Sequence, residues 1–279
     1  MLAALSVMAS PRATLVTGAT AGLGHAAAHQ LSAKGHTVLV HGRSEPKVAA
    51  LVAELEAKGG TAVGYVADLS SLADVRRLGA DVAKDWPSLD GLLNNAGTFD
   101  GDYTGKRVET SEGNEYSLAV NVLAPFLLTS LLLPSLRASG RGRVVISSSV
   151  SMGAADCLTD LQLASSWDGH RAYSLSKLCD AMLSAELHSR YGDPPKLTFN
   201  TMDPTAQIGM GADTKMLRAG WGGWGQPAAK ATISAEMMAD EAWAKRSGEG
   251  FSGRREVSSA QMRKRLWDEC VELTGAVFE

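Results

Sequence analysis

Short apolar runs rich in β-branched residues alternate with helically periodic stretches from residue 13 onward, and this alternation constrains the fold more than any single motif. Residues 13–17, 37–41, 61–67, 91–93, 144–147 and 197–202 have the length and composition of strands. Between them, 24–34, 47–58, 72–86, 120–136 and 174–191 carry helical patterns, the second stopped by Gly59 and Gly60. Strand, helix and strand in repetition predict a parallel sheet with helices on both faces, because each parallel return needs a crossover that covers the sheet. The 279 residues suffice for one large α/β domain or two small ones. Neither repeats nor a low-complexity linker occur, so 13–279 reads as one doubly wound domain behind a short leader, 1–12.

Composition narrows the partners. Hydrophobic residues make up 45% of the chain and charged residues 20%, with a net charge of -3. That balance fits a packed globular domain and offers no basic surface to nucleic acid or an anionic membrane. The longest apolar run, 126–133, is shorter than the ~20 residues of a spanning helix, so no membrane span is expected. Cys157, Cys179 and Cys270 are scattered without a C-x-x-C pair and read as reduced thiols. The histidines show no ligand spacing and read as surface or turn residues, so no metal site is expected. Residues 1–12 lack the basic start and long apolar stretch of a secretion signal. A cytoplasmic location follows as the expectation, with organelle targeting by the acid-free leader as the alternative. A homodimer is compatible with the sequence, which does not set the oligomeric state.

The segment Thr17-Gly18-Ala19-Thr20-Ala21-Gly22-Leu23-Gly24 stands where the first strand hands over to the first helix. Gly18 permits a tight turn, Gly22 lets backbone approach a pyrophosphate, and Gly24 lets helix pack closely on strand. Thr20, Ala21 and Leu23 fill the loop, and the helix N-terminus offers unpaired N–H groups and a positive dipole to phosphates. This is the phosphate loop of a Rossmann-type sheet, with T-G-x-x-x-G-x-G spacing. The second strand ends at His41-Gly42-Arg43-Ser44. An acid there binds the ribose 2′-hydroxyl of NAD, whereas Arg accommodates the 2′-phosphate of NADP. Arg43 with Ser44 therefore predicts NADP(H).

Tyr173-Ser174-Leu175-Ser176-Lys177 puts a phenol and an ammonium at i and i+4, on one helix face. A nearby ammonium lowers a phenol pKa from its usual ~10 and suits Tyr173 to acid/base work. Ser147-Ser148-Ser149 closes the fifth strand at the carboxyl edge of the sheet, where open α/β folds bind ligands. A hydroxyl there can hold the substrate oxygen that Tyr173 protonates.

Taken in order, the glycine loop, Asp68-Leu69, Asn94-Asn95-Ala96-Gly97, Asn121, the serine run, Tyr173 with Lys177, and Asn200 resemble the short-chain dehydrogenase/reductase family over nearly the whole chain. The resemblance implies that Asp68 and Leu69 border the adenine and that Asn95, Ala96 and Gly97 line the middle of the cofactor. It implies Tyr173 as the acid/base, and Lys177 as the residue that binds the nicotinamide ribose and lowers the tyrosine pKa. Asn121 is implied to hold a water in the proton relay. Ser149 is implied to orient the substrate, with Ser148 as the alternative. Asp68-Leu69-Ser70-Ser71-Leu72, Glu112-Gly113, Pro125-Phe126-Leu127-Leu128-Thr129, Asp160-Leu161-Gln162 and Arg265-Leu266-Trp267 are similar to the retinol-dehydrogenase-like branch. That branch implies a lipophilic alcohol or carbonyl substrate and NADP(H).

The sequence departs from the family after strand six, where Pro204-Thr205 replaces Pro-Gly and 206–213 resembles an insertion. The loop that includes Pro204 is implied to contact the nicotinamide carboxamide. Thr214, followed by Lys215-Met216, is the expected contact and Thr205 its rival. Trp221 and Trp224 read equally as a wall for an apolar substrate or as self-packing of a lid, Cys157 as a packing residue, and Phe251 as core. The expected function is an oxidoreductase moving hydride between NADP(H) and a small-molecule carbonyl or alcohol. The alternative is a catalytically impaired NADP-binding regulatory or scaffold protein.

Overall fold

Strand residues divide by parity. Leu15, Leu39, Leu92 and Val144 point into one hydrophobic cluster, while their neighbours Val16, Val38, Val40, Leu93 and Val145 point into a second. A period of two with both faces apolar is the signature of a sheet covered on both sides. The structure, a computed structural model, describes residues 11–209, 211–251 and 259–279. The leader expected at 1–12 lies outside the described residues except for Pro11 and Arg12, as does the side chain of Cys157.

The seven strands are β1 (Ala13–Val16), β2 (Thr37–Gly42), β3 (Thr61–Val66), β4 (Gly91–Asn94), β5 (Gly142–Ser147), β6 (Leu197–Met202) and β7 (Gly250–Phe251). They lie in the order β3-β2-β1-β4-β5-β6-β7, and every pair is parallel. The five interior strands are buried throughout. At the edges this fails: β3 buries only Ala62 and Tyr65, and β7 is exposed. Phe251 is therefore not core as expected, but an edge residue set against Trp243 with ring centroids 5.9 Å apart. The direction of strand addition reverses between β1 and β4, which opens a crevice at the carboxyl ends of those two strands.

On one face lie α3 (Leu72–Asp85), α4 (Tyr116–Ala138), α5 (Gly169–Tyr191) and α8 (Ala260–Thr274). On the other are α1 (Gly22–Ala33), α2 (Glu45–Ala57) and α7 (Ile233–Ala239), while the short α6 (Lys215–Trp221) stands in the loop after β6. Two helices start earlier than periodicity predicts because side chains cap them. Asp168 accepts from the Arg171 N–H at 3.0 Å at the head of α5, and Glu115 accepts from the Leu118 N–H at 2.8 Å at the head of α4. With this start, α4 has 23 residues and a mean hydropathy of 1.8 over its most apolar window, long and apolar enough to cross a membrane. In the fold 83% of that window is buried as a core helix. The expectation from uninterrupted apolar runs missed this because Asn121, Thr129 and Ser130 break the run yet are buried with their polar atoms bonded.

Candidate active site

The crevice is built from two loops tied to each other. Thr17 Oγ1 accepts the backbone N–H groups of Asn95 and Ala96, each at 3.0 Å, and Thr17 O accepts from Asn95 Nδ2 at 2.9 Å. Gly18 has φ +64, and a Cβ there would lie 2.9 Å from Ala96 Cα. At Gly24 a Cβ would lie 2.3 Å from the Gly18 carbonyl oxygen, so only a hydrogen lets α1 sit this close to the loop. His41 adds a third tie. It is 2% exposed, its Nδ1 accepts from the Gly18 N–H at 3.3 Å, and its Nε2 is 3.1 Å from Ala67 O. Burial pushes its pKa down to about 4, so the ring is neutral near pH 7 and serves as a fixed bridge. The sequence reading missed both Thr17 and His41 as structural ties.

Between these loops lies a cavity of about 420 Å³. Gly18, Thr20, Ala21, Gly22, Leu23, Gly24, Arg43, Ser44, Asp68, Leu69, Asn95, Ala96, Gly97 and Thr214 all line it, as sequence motifs suggested. Pro204, Tyr173 and Lys177, also expected at the cofactor, do not belong to this lining. Lys47, Asp102, Tyr103 and Lys215 line it too and were not foreseen. Lys47 follows Arg43 by four residues, a spacing the sequence did display. Arg43 NH1 donates to Asp102 Oδ2 at 3.0 Å, and Lys215 Nζ stands 3.7 Å from the Tyr103 ring centroid. These contacts strap the mouth of the cavity.

Beyond the cavity, α5 brings its residues to the end of β5. Lys177 Nζ donates to Ser147 O at 2.8 Å, and the Ser149 side chain lies close enough to the Tyr173 phenol to pull its pKa down. Ser148 Oγ donates instead to Lys177 O at 2.7 Å and is buried, so Ser149 is the serine beside the phenol. Tyr173 is buried, and burial, with the Asp203 and Asp180 charges, raises its pKa more than Lys177 and Ser149 lower it. The net direction is thus opposite to that expected from the lysine alone. Asn121 sits in a π-helical turn, Ala119–Leu123. Its Nδ2 donates to Thr98 O at 3.1 Å and Ser176 Oγ at 2.9 Å, and its Oδ1 accepts from the Thr98 N–H at 2.8 Å. The side-chain amide hydrogens are thus spent on the protein itself. Phe99 and Trp221 stand against the phenol with centroids 5.8 Å and 5.6 Å from it, and His170 packs on both of them. Trp224 is 72% exposed and takes no part in this cluster.

After β6, Asp203 organises the chain. Its Oδ1 accepts from the Thr205 N–H at 2.6 Å and the Thr205 hydroxyl at 2.7 Å, while its Oδ2 accepts from the Val150 N–H at 2.7 Å. Thr205 is thereby committed away from the cavity. Thr214 caps α6, accepting from the Leu217 N–H at 3.2 Å, and its methyl carbon faces Gly22. The loop closes on itself through Asp213 N–H to Gln226 O at 2.8 Å.

The histidines need a correction. His36 and His41 are buried, and His25 and His29 share an i, i+4 face where each Nε2 is 3.3 Å from Glu54 Oε2. Lys58 Nζ stands 3.5 Å from His29 Nδ1, on the other side of that ring.

The fold and the site together define a dinucleotide-binding α/β oxidoreductase. Residues 12–206 match the family model for short chain dehydrogenases, and the chain belongs to the short-chain dehydrogenase/reductase family. Its relatives put it in the retinol-dehydrogenase-like branch. Polyprenol dehydrogenase of Mus musculus is 34% identical over 95% of this chain and 84% of the relative. Retinol dehydrogenase 14 of Mus musculus is 34% identical over 69% of this chain, which spans 60% of that protein. Among solved structures, a short-chain dehydrogenase from Shigella flexneri complexed with NADP is 27% identical with a TM-score of 0.68, covering 86% of this chain and 96% of that one. One from Escherichia coli complexed with NADPH is also 27% identical with a TM-score of 0.68, covering 88% and 97%.

Proposed function

We propose that the protein is an NADP(H)-dependent oxidoreductase interconverting a lipophilic carbonyl compound and its alcohol. The observation that carries this reading is a single cavity with Arg43 at one end and Gly97, next to Lys177, at the other. A Cβ on Gly97 would lie 3.9 Å from Lys177 Nζ, so the lining at Gly97 borders the reaction centre. The residues fit the cofactor. The glycine turn leaves room that any side chain would fill, and the first turn of α1 carries no acid to oppose a pyrophosphate. Arg43, Ser44 and Lys47, at the head of α2, would hold a 2′-phosphate.

When bound, NADPH supplies a hydride to the carbonyl carbon. Tyr173 gives its phenolic proton to the carbonyl oxygen, and Ser149 donates a hydrogen bond to the same oxygen. Lys177 stabilises the phenolate that remains, and Tyr173 then regains a proton from solvent. Phe99, His170 and Trp221 offer an aromatic wall to an apolar substrate, in keeping with relatives named for retinol and polyprenol. A phenol pKa held above its ordinary value keeps Tyr173 protonated near neutral pH, the form that carbonyl reduction uses. Purified protein incubated in the dark with NADPH and a panel of lipophilic aldehydes and ketones tests the proposal. Consumption of NADPH with alcohol formation is expected. NADPH binding without turnover on any member would favour the regulatory alternative, and no NADPH binding would overturn both.

A further inference from the structure

The helix that carries Tyr173 and Lys177 brings a third ionisable group to the same place, one that the proposed reaction leaves unused. Asp180 lies three residues beyond Lys177, is 1% exposed, and has its Oδ2 2.8 Å from Lys177 Nζ. The ammonium is thus held between Asp180 and the Ser147 carbonyl, both at 2.8 Å. Asp180 Oδ1 is buried and has no hydrogen-bond partner among the described residues. Burying a carboxylate with one oxygen unbonded costs free energy, and buried ion pairs are seldom net stabilisers. The contact that accounts for Asp180 is therefore the lysine.

We propose that Asp180 is the positioning residue of the reaction centre, holding the Lys177 ammonium against Ser147 and keeping it cationic in the protein interior beside Tyr173. The inference rests on the roles given to Tyr173 and Lys177 above. Burial by itself pushes Lys177 toward the neutral amine, but Asp180, together with Tyr173 and Asp203, outweighs it and leaves the lysine pKa above its ordinary value. On α5, Tyr173 and Cys179 also feel the Asp180 charge, and from α8 Cys270 does. Both thiols are pushed up by burial and stay neutral, so the charge balance lies among Lys177, Asp180 and Asp203. Burial raises the Asp180 pKa to about 6 against the pull of Lys177. The counter-ion is therefore present above that pH and lost below it.

Asp180→Asn keeps the volume and an oxygen for Lys177 while removing the charge. Without that charge, Lys177 gives up its proton more readily, and so does Tyr173, which loses a negative neighbour. Both effects act in one direction. In kcat/KM profiles for carbonyl reduction, the alkaline limb of Asp180→Asn should move to lower pH by about one unit, a tenfold loss at a fixed pH on that limb. Superimposable profiles in two active proteins would overturn the proposal. A wild type without turnover sinks the proposed function instead, and NMR titration of the ¹³C-labelled lysine side chains then decides. Lys177 should titrate at lower pH in Asp180→Asn, and an unchanged titration overturns the proposal. Should Asp180→Asn not fold, the Asp180 carboxyl carbon of the wild type supplies the test. An Asp180 carboxylate that is ionised at neutral pH, with Lys177 cationic beside it, supports the pairing, and an Asp180 that remains protonated at neutral pH overturns it.

Discussion

Asp102 and Arg43 meet across the mouth of the cofactor cavity, carboxylate Oδ2 to guanidinium NH1 at 3.0 Å. Asp102 reaches there from a turn in which Asp100, Gly101, Asp102 and Tyr103 all have positive φ. Left-handed backbone at non-glycine residues costs about 1 kcal/mol each, and surrounding contacts must hold it. Here Thr98 Oγ1 donates to Asp102 Oδ1 at 3.3 Å, and Lys215 covers Tyr103. The carboxylate occupies one arm of the arginine that is proposed to take the 2′-phosphate. Exposed pairs of this kind contribute only about 0–1 kcal/mol, so a phosphate can displace Asp102.

NADPH should accordingly bind at least about tenfold more tightly than NADH, a margin of ~1.4 kcal/mol. Arg43→Ala should erase that preference. Asp102→Asn, which tolerates the same backbone, should tighten NADPH by no more than about fivefold. Fluorescence titration with both cofactors measures this, and equal affinities in the wild type would refute the assignment of Arg43.

Tyr173→Phe keeps the ring against Phe99 and Trp221 and removes only the hydroxyl. Turnover should fall by about 10²–10⁴-fold while NADPH affinity stays within about threefold. Because burial holds the phenol above its ordinary pKa, alcohol oxidation, which needs the phenolate, should rise with pH into the alkaline range. A Phe variant with most of its activity would show that another group carries the proton.

Acid should destabilise the fold through His36 and His41. Burial depresses both pKa values from 6.5 to about 4. Above pH 6.5 both rings are neutral folded and unfolded, and they add no pH dependence. Between 6.5 and 4 the unfolded chain takes up protons that the folded chain refuses, so stability falls by up to about 3 kcal/mol for each ring. Urea midpoints across this range measure the slope. His36→Asn can still hydrogen-bond Thr14, which His36 Nδ1 meets at 2.9 Å, and should flatten it. An unchanged slope in the variant would rule His36 out as a source.

The loop after β6 should tighten over the cofactor. Hydrogen exchange of residues 206–225 is expected to slow with NADP⁺, and equal protection in both states would mark a rigid wall. Thr214→Val should weaken cofactor binding. Thr205→Val, whose hydroxyl is bonded to Asp203, should lower thermal stability instead. The opposite pattern would shift the functional register to Thr205.

Strand parity, the glycine spacing and the Tyr173–Lys177 pair were legible in the sequence because each is local. Alternation by two selects opposite faces at Leu15 and Val16, and a spacing of four selects one helix face, whatever the rest of the chain does. Element ends were read less well, since α4 and α5 start where Glu115 and Asp168 cap them. The tertiary structure alone decided what meets across the sheet: His41 under Gly18, Asp102 on Arg43, Asp203 on the Val150 N–H. These partners are far apart or mutually unsignalled in the chain, and only the parallel order of strands brings their loops to one edge. It also decided charge. The spacing of Asp180 from Lys177 is visible in the sequence, but its effect depends on both groups being removed from water. The sign of the lysine's effect on Tyr173 followed from proximity, whereas burial, which outweighs it, belongs to the packed fold.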